Sequence, residues 1–238
     1  MNYFFITGDS SGIGEALKRL VLNDQNNIVY GLSRRNRKEE ERYFPIQLDL
    51  SNPEEISQFD FPELQDVDHI YLVNNAGQIG AIQPVFEQSL EEIAEVFQVN
   101  TIAVIQITSM FIQKYKSHSL KIINVSSGAA LNPIQGWATY CSSKAALDMF
   151  SKTLIADLEF RELENVEVYS VSPGVVDTAM QKEIRSSKSE NFSRLDQFQE
   201  LKDNSELIDP HQTAALIYRI HENPSFFNSN FINLREFY

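Results

Sequence analysis

Along the chain, short runs of apolar, β-prone residues alternate with longer stretches in which apolar residues recur every three or four positions. The first pattern predicts buried strands and the second amphipathic helices, and their alternation predicts a parallel α/β sheet. Strands are expected at Tyr3 to Thr7, Ile28 to Ser33, Phe44 to Leu48, His69 to Val73, Lys121 to Ser126, Val166 to Ser172 and Phe231 to Leu234. Between the fourth and fifth, Leu90, Ile93, Phe97, Val104 and Phe111 predict one buried helical face, which Asn100 interrupts. Between the fifth and sixth, Leu147, Phe150, Leu154 and Leu158 repeat that rhythm once Pro133 and Gly136 have closed the preceding loop. The expected architecture is a single α/β domain over 1–238, a Rossmann-type doubly wound parallel sheet of about seven strands with helices on both faces.

The pattern changes between Met180 and Asp209, where charged and polar residues surround isolated Phe192, Leu195, Phe198 and Leu201. This reads as an inserted pair of short helices, near 179–209, covering the substrate at one end of the sheet. The competing reading is a solvated excursion with no part in binding.

Composition narrows the function classes. Hydrophobic residues make up 42% of the 238 positions, enough to build a packed interior. A net charge of -13 disfavours nucleic acid as a partner, because phosphate binding needs clustered Lys and Arg. The lone cysteine, Cys141, excludes an internal disulfide and is read as a small residue on a buried helix. No signal-like leader and no uninterrupted apolar run of about 20 residues is evident, so the expected location is the cytoplasm, with no membrane partner. His69, His118, His211 and His221 show no ligand spacing, and no metal is expected.

After the first strand comes Thr7-Gly8-Asp9-Ser10-Ser11-Gly12-Ile13-Gly14, followed by the helical run Glu15 to Leu22. Glycines there permit a tight turn and close approach of backbone to a pyrophosphate, while the helix N-terminus offers free amides and its positive dipole end. The context of strand, glycine loop and helix is what makes a dinucleotide site credible. The second strand ends in Gly31-Leu32-Ser33-Arg34-Arg35, with Ser33 where an NAD-binding carboxylate is expected, 19 positions after Gly14. Arg34 and Arg35 can bind a ribose 2′-phosphate, which predicts NADP(H). Ordinary surface charge is the alternative.

The fifth strand runs into Asn124-Val125-Ser126-Ser127-Gly128, and the next helix opens with Tyr140-Cys141-Ser142-Ser143-Lys144. A spacing of four puts Tyr140 and Lys144 on one helical face, and Ser127 can approach them from the strand end. Together these motifs resemble the classical short-chain dehydrogenases/reductases over essentially the full length. In family order the resemblance rests on Thr7-Gly8 through Gly14, Asp49, Asn74-Asn75-Ala76-Gly77, Asn100, Ser127, Tyr140, Lys144 and Pro173-Gly174 through Thr178. It implies a catalytic set of Asn100, Ser127, Tyr140 and Lys144, with Asn100 distorting its helix and ordering a water that links Lys144 to solvent. The implied cofactor-binding set is Thr7, Gly8, Ser10, Ser11, Gly12, Ile13, Gly14, Ser33, Arg34, Arg35, Asp49, Leu50, Asn75, Ala76, Gly77, Tyr140, Lys144, Pro173, Gly174, Val176 and Thr178. Within it, Asp49 would contact the adenine, Asn74 to Gly77 would support sheet and pocket, and Thr178 would bind the nicotinamide carboxamide. Self-association as a homodimer or homotetramer, through the helices containing Asn100 and Tyr140, is implied as well.

The chemistry follows without the family. Carbonyl reduction needs a hydride at carbon and a proton at the oxygen. A tyrosine recovers that proton reversibly only if its pKa falls toward neutrality, a shift of about three units or roughly 4 kcal/mol. Lys144 and an oxidised nicotinamide together are expected to supply that shift, while Ser127 holds and polarises the substrate oxygen.

One residue departs from the family pattern: Asp9 stands where a small residue is usual. A carboxylate facing a pyrophosphate is repulsive, so Asp9 is expected to point away, toward backbone amides of its own turn. Substrate choice is expected in the segments Gln78 to Pro84, Gly128 to Trp137 and the region after Gly174. There Ala129, Ala130, Leu131, Trp137, Val175 and Met180 predict an apolar pocket suited to a small ketone, with Trp137 either lining it or packing the loop.

At finer grain, Gly174-Val175-Val176-Asp177-Thr178-Ala179-Met180-Gln181 and Ile184-Arg185-Ser186-Ser187 resemble the sepiapterin reductase-like branch and its (S)-benzoin-forming benzil reductases. That implies reduction of one carbonyl of a 1,2-diketone by NADPH. Two other classes compete. A non-catalytic NADP-binding sensor has no need for Ser127, Tyr140 and Lys144, and a reductase of carrier-bound 3-oxoacyl chains needs a basic docking surface.

Overall fold

The computed structural model describes residues 1–35 and 37–238. Seven strands form one parallel sheet: β1 (Asn2–Thr7), β2 (Asn27–Ser33), β3 (Tyr43–Gln47), β4 (His69–Asn74), β5 (Ser119–Val125), β6 (Val166–Ser172) and β7 (Phe231–Asn233). Their order is β3-β2-β1-β4-β5-β6-β7. The chain builds outward from β1 in one direction, then crosses back to place β4 on its other side. This reversal leaves a crevice at the carboxyl ends of β1 and β4, where doubly wound sheets bind ligands. Each predicted strand is present within one or two residues. Pro45 sits in β3, where the missing N–H costs little because that strand is an edge.

Among the described residues there are eight α-helices: α1 (Gly12–Val21), α2 (Pro53–Gln58), α3 (Leu90–Phe97), α4 (Ala103–Tyr115), α5 (Ala138–Phe160), α6 (Ala179–Arg185), α7 (Leu195–Asp203) and α8 (Pro210–Glu222). One face packs against α1 and α8 through Leu17, Val21, Ile217 and Ile220, and the other against α2, α4 and α5 through Ile56, Ile107, Phe111 and Leu158. Helix α3 begins with a reciprocal cap: Ser89 Oγ accepts from Glu92 N–H and the Glu92 carboxylate accepts from Ser89 N–H.

One expectation changes. Leu90 is not on the buried face; it is 79% exposed at the first turn of α3, while Val96 turns inward. The interruption at Asn100 is a π-helical turn, Gln98–Ile102, that joins α3 to α4 without breaking the run. The extra residue in that turn shifts the helical phase, which is why one rhythm does not fit both halves. The continuous run Leu90–Tyr115 is therefore long and apolar enough, by composition, to cross a membrane, although 44% of its most apolar stretch is buried inside this fold.

Segment 179–209 folds as α6 and α7 joined by an irregular connection. Its isolated apolar residues are not solvated. Phe192, Leu195 and Phe198 are buried in a third small core with Ile79, Ala129, Trp137, Tyr140 and Ile184, above the carboxyl ends of the strands.

Candidate active site

A cleft of roughly 1230 Å³ opens along the carboxyl edge of the sheet. One end is the glycine loop. A Cβ at Gly14 would run into the carbonyl of Gly8, so the close packing of α1 against the end of β1 depends on that position having no side chain. Asn75 holds the loop from the far side: its Nδ2 donates to the carbonyls of Thr7 and Gly8 at 3.0 and 3.2 Å. Thr7 Oγ1 accepts from the amides of Asn75 and Ala76, both at 3.0 Å. Thr7 and Gly14 thus brace the cradle and do not line it, unlike Gly8, Ser10, Ser11, Gly12 and Ile13.

The remaining cofactor candidates fall where a dinucleotide would run. Ser33, Arg34, Arg35, Asp49 and Leu50 line one end, Asn75, Ala76 and Gly77 the middle, and Pro173, Gly174, Val176 and Thr178 the opposite wall. Asp49 is braced by its own turn, accepting from the amide and hydroxyl of Ser51 at 2.9 and 2.7 Å. Thr178 caps α6 and lies against the glycine loop, where a Cβ on Gly12 would come within 3.0 Å of its methyl group. The glycine loop at the start of α1 and the continuous lining of the cleft both fit a dinucleotide. Two residues that the sequence did not single out, Leu48 and Val99, complete the apolar lining, and neither carries a motif.

Asp9 does point away from the cleft, but not to the amides of its own turn. Its fully buried carboxylate accepts from Tyr43 Oη on β3 at 2.6 Å and lies 3.6 Å from Lys18 Nζ of α1. The space comes from Gly31, where a Cβ would collide with Asp9 Oδ2. A carboxylate removed from water needs a charged partner, which local amides alone do not supply. Burial and the Asp9 carboxylate both push the Tyr43 phenol up, so it stays a donor. Arg37 adds a second strap, donating to the Ser10 carbonyl at 2.6 Å.

The end of the cleft that carries the expected catalytic residues is assembled from β5 and α5. Tyr140 and Lys144 are 6% and 4% exposed and, with Ser127, line the cleft. The Lys144 ammonium lies 6.0 Å from the centre of the Tyr140 ring and donates to the Val125 carbonyl at 2.8 Å. Ser127 Oγ accepts from the Ala129 amide at 3.1 Å, which fixes the hydroxyl at the mouth of the turn. Burial pushes the Tyr140 phenol up to about 12, and hydrogen bonding by Ser127 opposes this in part. Burial also pulls Lys144 down to about 8, against the pull of Asp148. The protein by itself therefore holds a neutral phenol. Desolvation is the largest influence on the phenol here, and the acidification expected of Lys144 is not seen in the protein alone.

Asn100 does not line the cleft. It is fully buried in the π turn, where its amide donates to the Gln78 carbonyl at 2.9 Å and to Ser143 Oγ at 3.1 Å. Its oxygen accepts from the Gln78 amide at 2.9 Å. With the side chain spent on these contacts, its observed work is to clamp the loop after β4 to α5. A second buried set, Asn74 donating to Asn124 at 2.8 Å and Asn124 to Ser151 at 2.9 Å, ties β4, β5 and α5 beneath it.

Above the Tyr140 ring, Trp137 packs edge-on at 5.7 Å and stacks on Phe192 at 5.3 Å. Trp137 thus both lines the cleft and anchors the 179–209 segment. Ala129, Leu131, Val175 and Met180 line the same region, whereas Ala130 does not. It falls in the short helical turn Gly128–Ala130, which directs Ala129 inward in its place. Ile134, Ile184, Phe198 and Leu201 add to the wall.

Comparison with known proteins agrees with this arrangement. The family model for short chain dehydrogenases matches residues 2–189. The chain belongs to the short chain dehydrogenase family. A benzil reductase ((S)-benzoin forming) of Bacillus subtilis (strain 168) is 36% identical to this short chain dehydrogenase over 245 residues, covering 100% of both chains. Sepiapterin reductase of Bos taurus is 30% identical over 172 residues, 70% of this chain and 62% of its own. Among solved structures, a short chain dehydrogenase/reductase from Saccharomyces cerevisiae superposes with a TM-score of 0.85 at 25% identity, covering 98% and 96% of the two chains. Two others sharing the fold hold dinucleotides. They are 4-hydroxyisoleucine dehydrogenase with NADH (24% identity, TM-score 0.78, 98% and 95% covered) and serine dehydrogenase with NADP+ (23%, 0.74, 97% and 93%). This short chain dehydrogenase is thus an oxidoreductase acting on carbonyl or hydroxyl groups.

The Asp9 contacts make a direct prediction for stability. Asp9→Ala leaves Lys18 buried without its partner and should lower the unfolding free energy by roughly 3 kcal/mol. Chemical denaturation of the two proteins measures this, and an unchanged midpoint would show that the pair is not holding the loop.

Proposed function

We propose that this enzyme is an NADPH-dependent reductase of small apolar ketones and 1,2-diketones of the benzil type, with Tyr140 as the proton donor. The observation that carries the reading is the burial of Tyr140 between Ser127 and Lys144, in the same cleft as the glycine loop. When bound, the nicotinamide supplies the hydride. Ser127 orients the substrate carbonyl by its hydroxyl, and Tyr140 gives its proton to the oxygen as negative charge develops there. Lys144 restores the proton to Tyr140, and its ammonium, together with the positive charge that an oxidised nicotinamide would bring, would favour the phenolate. Asn100 acts as a positioning residue, since it clamps Gln78 to Ser143 beside this pair.

The substrate class rests on the wall of Trp137, Val175, Met180, Ile184 and Phe198, which offers apolar contact on the side of the cleft nearest Tyr140. The full-length likeness to a benzil reductase supports the aromatic diketone. Segment 179–209 is the substrate cover, held down by Phe192 and Phe198 on Trp137. Self-association would cover Ile102 and Ile105 of the π turn and α4, and Met149 and Phe160 of α5, which are exposed apolar residues. A location in the cytoplasm suits a supply of NADPH.

Arg34 and Arg35, both exposed at the adenosine end of the cleft, support NADPH over NADH. The ratio of kcat/KM for the two coenzymes should favour NADPH, and Arg34→Ala should cut that ratio by about tenfold, equivalent to losing one charge-assisted contact. A wild-type preference for NADH would overturn the assignment. Tyr140→Phe keeps the ring and removes the donor, so turnover of benzil should fall by about a thousandfold or more with coenzyme binding retained. Turnover near the wild-type rate would remove Tyr140 from the reaction.

A further inference from the structure

Helix α5 carries more titratable groups along one line than the reaction so far uses. Tyr140, Lys144, Asp148 and Lys152 follow one another at intervals of four, and all four line the cleft. That spacing stacks them on a single helical face, one turn apart. Beyond Lys144 the cleft continues between α5, β6 and β7, past Ser170, Ser172, Phe231 and Asn233. Asp148 is anchored there: Ser170 Oγ of β6 donates to its Oδ1 at 2.7 Å. Lys152, the outermost member, lies with its ammonium 5.2 Å from the centre of the Phe231 ring.

We infer that Asp148, held by Ser170, is a positioning residue that keeps Lys144 charged and stands on the route by which protons reach it from solvent. This rests on the reading of Tyr140 and Lys144 given above. Lys144 is buried, and burial favours its neutral form; a carboxylate one turn along the helix supplies the opposing field. On the other side, Asn100 spends its side-chain amide on Gln78 and Ser143, so the α5 to β6 branch is a polar opening to Lys144 that needs no rearrangement of that clamp.

The proton balance closes in each turnover. Tyr140 loses its proton to the substrate oxygen, Lys144 gives one to the phenolate, and the neutral amine regains the one proton consumed per turnover from bulk solvent, by way of the branch lined by Asp148 and Ser170. No oxidant or further reductant is involved. The groups facing Lys144 are Tyr140 and Asp148 from α5 and Asn100 from the π turn. Those in the branch around Asp148 are Lys144 and Lys152 from α5, Ser170 and Ser172 from β6, Asn233 at the end of β7 and Arg235 just beyond it.

The sign of the effect follows. Removing the carboxylate charge disfavours the ammonium, so Lys144 loses its proton at lower pH. The rate of carbonyl reduction, which needs that proton, should then decline earlier as pH rises.

Asp148→Asn preserves an acceptor for Ser170 and removes only the charge, and Asp148→Glu restores the charge one methylene further out. The first should move the alkaline limb of kcat/KM for benzil reduction down by about one pH unit. The second should return it to within about a third of that displacement. Competitive acetylation of the coenzyme-free protein, read at the Lys144 peptide by mass spectrometry, should show the same shift without any turnover. An unmoved limb together with an unmoved Lys144 labelling curve in Asp148→Asn would overturn the inference while leaving Tyr140 and Lys144 in place. Full activity of Tyr140→Phe would instead bring down the underlying reading.

Discussion

The site depends on a cation and a phenol buried side by side on one helical turn. Neither group is comfortable there: burial resists the charge on Lys144 and resists ionisation of Tyr140, and the two penalties act in opposite senses on the protons they hold. The result is a pair that rests as ammonium and neutral phenol, primed to give a proton outward. In the proposed reaction, a positive charge on a bound dinucleotide would favour the phenolate and so reverse that preference. Several buried contacts hold these two side chains in place. The π turn lets Asn100 reach Ser143 on α5 without ending its own helix, and the Asn74, Asn124 and Ser151 set fixes α5 to the sheet. The Trp137, Phe192 and Phe198 cluster closes over the phenol.

The same logic of paired burial appears at the other end of the cleft. A carboxylate at Asp9 would repel a pyrophosphate if it faced the ligand. It is instead turned under the loop, into room left by Gly31, where Lys18 supplies the opposite charge and Tyr43 donates a hydrogen bond. The glycine loop is thereby strapped to β3 through side chains as well as to β4 through Asn75. A charge that looks adverse in the linear motif becomes part of the scaffold because the loop geometry allows it to leave the cleft.

Much of this was legible in the sequence because local chemistry and long-range packing agree. The strands announced themselves as apolar runs between helical rhythms, and the glycine loop, Ser127, Tyr140 and Lys144 carry their spacing in the chain. What stayed hidden depended on tertiary contacts. Leu90 keeps the apolar rhythm yet faces solvent, because a capped first turn needs no burial to form. Asn100 reads as an interruption, whereas the π turn that accommodates it is a product of its buried partners. The partners of Asp9 lie on α1 and β3, far along the chain. Asp148, one turn beyond Lys144, was passed over in the sequence because it belongs to no motif, and its contact with Ser170 exists only in the fold.

The claim that the dinucleotide's charge, added to that of Lys144, makes the phenol acidic is tested most directly by ultraviolet difference titration of tyrosinate, wild type minus Tyr140→Phe, with and without NADP+. One phenolate should appear near neutral pH only in the complex, and the coenzyme-free protein should show none below about pH 10. A phenolate titrating identically with and without NADP+ would contradict the account.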